Sequence, residues 1–154
     1  MNFSGPLEDR IAIRELLETF ADATAREDVE LLATCWVDDS VWVTPQGREE
    51  GKESIVASWE KYTEAYRRGT GVIYRATFYQ PAAIRIDGDT ATVTTYFSVV
   101  TFTDQGVAPN VFAGAYAEEY AKVDGRWRFR SRQYQPIDKL RVKKEHETTS
   151  GPWM

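Results

Sequence analysis

The chain has 154 residues, with 19 Lys+Arg against 24 Asp+Glu, a net charge of −5, and 42% hydrophobic and 13% aromatic content. That length suits one domain burying roughly 70% of its unfolded surface, and the composition is not that of a disordered chain. No apolar run approaches the roughly 20 residues of a membrane span, and Met1–Pro6 lacks a signal-peptide pattern. The lone Cys35 excludes an internal disulfide and a Cys-based zinc site, and the acidic balance argues against a broad nucleic-acid surface. A soluble cytoplasmic protein is the expectation.

In chain order, the spacing of Ile13, Leu16, Leu17, Phe20 and Thr24 predicts a helix from about Leu7 to Glu27. Asp28 is placed to cap a second, short helix that Asp38-Asp39 breaks. Ser40–Thr44 reads as a strand closed by Pro45-Gln46-Gly47. Ile55, Trp59, Tyr62 and Tyr66 predict a third helix over Glu53–Arg68, stopped at Gly69-Thr70-Gly71. From there the period becomes two. Strands are expected over Val72–Ile86, Thr90–Thr103, Val111–Val123 and Arg126–Tyr134, joined at Asp87-Gly88-Asp89, Asp104-Gln105-Gly106 and Asp124-Gly125.

Helices grouped ahead of long strands imply an α+β fold, with three helices on one face of a curved antiparallel sheet. Such a cone encloses a natural small-molecule pocket. Residues 1–137 form this single domain, and 138–154 form a basic tail or an arm on a neighbouring subunit, for which Trp153 supplies something to bury. A convex sheet face left uncovered by the helices predicts a homodimer or homotrimer.

Several short runs lie in the order and spacing of a known family. They are Ile13–Asp22, Trp36–Trp42, Gly51–Ile55, Asp87–Ala91, Gly114–Tyr120 and Asp124–Trp127. Over residues 7 to 135 the chain resembles the nuclear-transport-factor-2-like (cystatin-like) superfamily, in its SnoaL-like branch of scytalone dehydratase, bile-acid dehydratase and hexachlorocyclohexane dehydrochlorinase relatives. That resemblance implies the cone fold. Its lyases pair an Asp late in the first helix with a His opening the long strands; the matching positions here are Ala25 and Ala76 or Thr77, and the lone histidine, His146, lies beyond the match. The His–Asp dyad is therefore not carried over.

Other groups are candidates to replace it. Asp22 stands one helical turn before Ala25, where a buried carboxylate would serve as acid or base, although it also lies nearly opposite Phe20 and fits a solvated face. Arg132 aligns with an arginine that some relatives use to receive negative charge, yet Arg126, Arg128, Arg130 and Arg132 alternate as a solvated stripe would. By resemblance, Tyr74, Tyr96 and Tyr116 fall on cavity-lining strand positions, with Ser98 beside Tyr96. A phenol there donates to an enolate oxygen. Phe20, Trp42, Trp59 and Phe112 are expected to line the cone or fill the core.

No phosphate loop, nucleophile elbow or metal-ligand spacing occurs, so no cofactor and no metal are implied. Two readings follow. The first is a cofactor-independent lyase or isomerase moving a proton on a small apolar or aromatic metabolite, with Asp22, Arg132, Tyr96 and Tyr116 catalytic and Phe20, Trp42, Tyr74, Ser98 and Phe112 holding substrate. The other is a binding or accessory protein of the same fold, without turnover.

Overall fold

A computed structural model describes residues 1–108 and 112–136. In chain order these form β1 (Phe3–Ser4), α1 (Leu7–Arg26), α2 (Val29–Thr34), β2 (Trp36–Thr44), β3 (Gly47–Glu50), α3 (Lys52–Thr70), β4 (Val72–Asp87), β5 (Thr90–Thr103), β6 (Gly106–Val107), β7 (Phe112–Val123) and β8 (Arg126–Gln135). The expected tail, 138–154 with Trp153, lies outside the described residues. Among the described residues no helix is long and apolar enough to cross a membrane.

α1 buries Ile13, Leu17, Phe20 and Ala23, one stripe at helical spacing, against the sheet. It ends where Glu27 turns left-handed at φ 57°. The Asp28 side chain then accepts from the Leu31 N–H at 3.0 Å and caps α2, as its position predicts. α2 stops at Thr34 and the chain is already strand at Trp36, so Asp38-Asp39 lies within β2 rather than ending the helix. The reason is tertiary: Trp36 and Phe129 pair in register, and both are completely buried. α3 runs to Thr70, and Gly71, at φ 64°, supplies its left-handed cap.

The strands form an open sheet ordered β1-β4-β5-β7-β8-β2-β3, with β6 beside β5. The central β4-β5-β7-β8 meander is antiparallel, whereas β2 joins β8, and β1 joins β4, in parallel. The short pieces β1, β3 and β6 carry too little alternation to be read from sequence. Among the described residues the ladder shifts register at four places, within Trp36–Val41 of β2, between Val72 and Tyr74 and between Pro81 and Ala83 of β4, and at Arg130 of β8. A bulge adds one residue to one strand and so exchanges the faces beyond it. In β4 the inward set passes from Tyr79 to Ile84; in β8 it passes from Trp127 and Phe129 to Arg132.

The core occupies the closed end of this curve, where Phe20, Trp36, Phe129 and Tyr120 make edge-on and tilted contacts with ring centroids 5.0–5.8 Å apart. A second, smaller cluster of Phe97, Val99 and Tyr116 lies on the inner face nearer the open end, and Trp42 and Tyr79 pack against both.

Candidate functional site

Between α1, α3 and the inner face of the sheet lies a cavity of about 600 Å³, a size that suits a small organic ligand. Alternation along β4 points Arg75, Thr77 and Tyr79 into it, opposite Thr101, Val99 and Phe97 of β5. α1 contributes Phe20 and Ala25, β2 Trp42, α3 Ile55 and Trp59, and β7 Phe112 and Tyr116.

Beneath the cavity is a charged cluster sealed from water. Arg132 and Glu118 are both fully buried, and the Arg132 Nε donates to Glu118 Oε1 at 2.7 Å. Glu118 Oε2 accepts from the Thr95 hydroxyl at 2.6 Å and from the Tyr120 hydroxyl at 2.9 Å. Three donors on one carboxyl compensate the cost of burying it. The guanidinium carbon stands 4.3 Å from the Tyr116 ring centroid, 4.5 Å from Phe129, 4.8 Å from Phe20 and 4.9 Å from Tyr79. Ring faces stabilise the cation where no water reaches it. Burial opposes the charge on Arg132, yet Glu118 overcomes this and holds its pKa above the ordinary value. Neither Nη atom has a well-aligned acceptor among the described residues, although the Tyr79 hydroxyl lies close enough for the guanidinium to influence it.

Phe20, Tyr79 and Tyr116 thus have one side on the cation and the other on the cavity. Burial pushes the Tyr116 phenol up to about 12, and that of Tyr79 is also raised by burial, with Arg132 pulling both back. Both phenols are therefore protonated at neutral pH and act as hydrogen-bond donors rather than bases. The Trp42 indole donates to the Tyr116 hydroxyl at 3.4 Å and helps orient it. Carboxylates in the lining are Glu27, which pairs with Arg67, and the partly buried Glu49, which accepts from the Ser54 hydroxyl.

The residues expected from sequence separate into two groups. Phe20, Trp42, Phe112 and Tyr116 line the cavity, Tyr74 stands at its rim half-exposed, and Arg132 lies under the floor. Asp22, Tyr96 and Ser98 do not join them. Helical phase turns Asp22 outward, where it is 54% exposed and paired with Arg26 at 2.9 Å. Tyr96 and Ser98 alternate with Phe97 and Val99, and so project from the outer face of the sheet. A carboxylate in bulk water and a tyrosine behind the sheet have no access to a ligand in the cone.

Ala25 and Thr77, the positions at which the resemblance leads one to look for an Asp and a His, line the cavity; Ala76 does not. Sequence reasoning passed over Tyr79, Glu118 and Glu49. Tyr79 was discoverable as the next inward position after Thr77, and Glu118 as the next after Tyr116. Glu49 belongs to β3, which no alternation announced.

Comparison with known proteins agrees with this architecture. The SnoaL-like domain family matches residues 5–133. No curated protein matches the sequence. Among solved structures, a scytalone-dehydratase-like protein from Novosphingobium aromaticivorans is 20% identical, covers 84% of both chains and superimposes with a TM-score of 0.70. A protein of cystatin-like fold from Nostoc punctiforme is 24% identical over 87% of this chain and 93% of its own, with a TM-score of 0.69. A type 2 hexachlorocyclohexane dehydrochlorinase is 18% identical over 84% and 85%, also at 0.69.

Proposed function

The chain belongs to the SnoaL-like family, and from that premise we propose a cytoplasmic, cofactor-independent lyase or isomerase that moves a proton on a small, oxygen-bearing apolar or aromatic metabolite. One observation carries this reading: two protonated phenols, Tyr79 and Tyr116, face an aromatic cavity while the charged Arg132 stands directly behind them. A carbonyl or leaving hydroxyl at the floor would accept from these phenols. As negative charge grows on that oxygen, the donors and the cation behind them stabilise it, in a low-dielectric site where such contacts count most. Glu49, held by Ser54 and paired in register with Trp42, is the lining carboxylate we assign to proton acceptance. The dehydratase and dehydrochlorinase neighbours support the reaction class.

The test is turnover of a panel of β-hydroxy aryl ketones and related acids, followed by mass spectrometry for loss of water or change of isomer. Tyr116→Phe is expected to lower kcat by about 10²-fold with little change in KM, as removal of an oxyanion donor does. The binding-protein reading is favoured by the engagement of both lining carboxylates with other partners. Binding without turnover across the panel would decide for it.

We also infer self-association as a homodimer or homotrimer. Support comes from the outer sheet face, where Phe78, Tyr96 and Phe102 are 61%, 41% and 36% exposed.

A further inference from the structure

We propose that the ligand of this cavity is an elongated carboxylic acid, its carboxylate held by Arg75 and its apolar end resting on Phe20, Trp42 and Phe97. Arg75 lies on the cavity face of β4, in the same inward row as Thr77 and Tyr79, and its neighbour across β5 is Thr101. From the opposite wall α3 presents Tyr62 and Tyr66, stacked at 6.0 Å with ring planes 26° apart. The Arg75 guanidinium sits over them, 4.6 Å from the Tyr66 centroid and 5.7 Å from that of Tyr62. Stacking uses the face of the guanidinium and leaves the N–H groups in its plane free to donate.

Among the described residues Arg75 makes no hydrogen bond and no ion pair, although Asp and Glu number 24 in the chain. The other arginine of the lining, Arg67, is already paired with Glu27. Arg75 is therefore a cation oriented by two rings, facing a cavity, and lacking a counter-ion among the described residues. A planar fork of this kind fits a carboxylate through two parallel bonds.

Polarity along the cavity sets the rest of the ligand. Near Arg75 the walls carry Thr77, Thr101 and the two tyrosines, whereas the far end is Phe20, Trp42, Ile55 and Phe97. Arg75 and Tyr79 lie four steps apart along β4, about 13 Å at the rise of a β-strand. An acid spanning that distance places its apolar body between the aromatics and brings its distal functional group to the Tyr79 and Tyr116 phenols. The inference rests on reading the cavity as a small-molecule site, and it adds the substrate's charge and polarity to that reading.

Calorimetric titration of the full-length chain with phenylhexanoate and with phenylhexanol, equal in length and different in charge, tests it. Wild-type protein is expected to bind the acid at least about tenfold more tightly than the alcohol, as a charge-assisted pair gives. That preference should weaken as salt is raised. Arg75→Met, which keeps the apolar stem, should abolish the preference and leave alcohol affinity within about twofold, whereas Arg75→Lys should retain part of it. Equal binding of acid and alcohol by wild type, or a preference that survives in Arg75→Met, overturns the proposal while the cavity reading stands. Binding of neither probe overturns both. Should Arg75→Met not fold by circular dichroism, the wild-type comparison and its salt dependence still decide.

Discussion

Glu118 shows how one side chain holds a charge in the interior of this molecule. It accepts from Arg132, Thr95 and Tyr120, and each of these donors would otherwise be buried without a partner. Glu118→Leu leaves an uncompensated guanidinium in the core and is expected to cost about 3–5 kcal/mol in urea unfolding. The double variant Glu118→Leu/Arg132→Met removes the stranded charge as well. It should be more stable than Glu118→Leu alone, because an apolar pair of similar volume replaces an ion that has lost its counter-charge. A double variant no more stable than the single one would mean that Arg132 is not charged in the fold. The same residues explain why Tyr79 and Tyr116 are donors: burial raises their pKa, and the nearby cation only partly restores it.

At the level of elements, β8 carries the decisive irregularity. Tyr120 pairs with Phe129 and Glu119 with Ser131, which leaves Arg130 as the extra residue of a bulge. Were alternation unbroken through Arg130, Arg132 would continue the outward row of Arg126, Arg128 and Arg130, the solvated stripe that simple alternation describes. Inserting one alanine between Ser131 and Arg132 is therefore expected to move Arg132 out of register with Glu118, abolishing the cooperative thermal transition and the near-ultraviolet dichroism of the packed aromatics. Arg130→Ala, which keeps the residue count, should stay within about 0.5 kcal/mol of wild type. Similar behaviour of the two variants would show that register does not place the buried pair. Bulging also accounts for the limits of pattern reading in β4, where the inward positions change between Tyr79 and Ile84 across Pro81–Ala83.

For the whole molecule, the helices cover only the inner face of the sheet, and Phe78, Tyr96 and Phe102 remain on the outer one. Sedimentation equilibrium at micromolar protein should give a dimer or trimer, with Phe78→Asp shifting it toward monomer; a clean wild-type monomer refutes the self-association proposal. The α+β order, the three helices, the four long strands and the tight turns were legible in the sequence, because helical spacing, alternation and Gly/Asp turn chemistry are local properties of the chain. So were the aromatic residues Phe20, Trp42, Trp59 and Phe112, expected at the cone or core and found in the cavity lining. Asp22 was misleading because a shift of one turn along α1 does not preserve the face. Only tertiary structure decided the rest: that Arg132 is buried with Glu118, that Tyr79 joins Tyr116 at the cavity floor, that Glu49 reaches the lining from β3, and that Arg75 crosses the cavity to the tyrosines of α3. Each of these depends on strand register, bulge position or the meeting of distant elements. Such pairings are set by long-range packing, and no local period in the sequence encodes them.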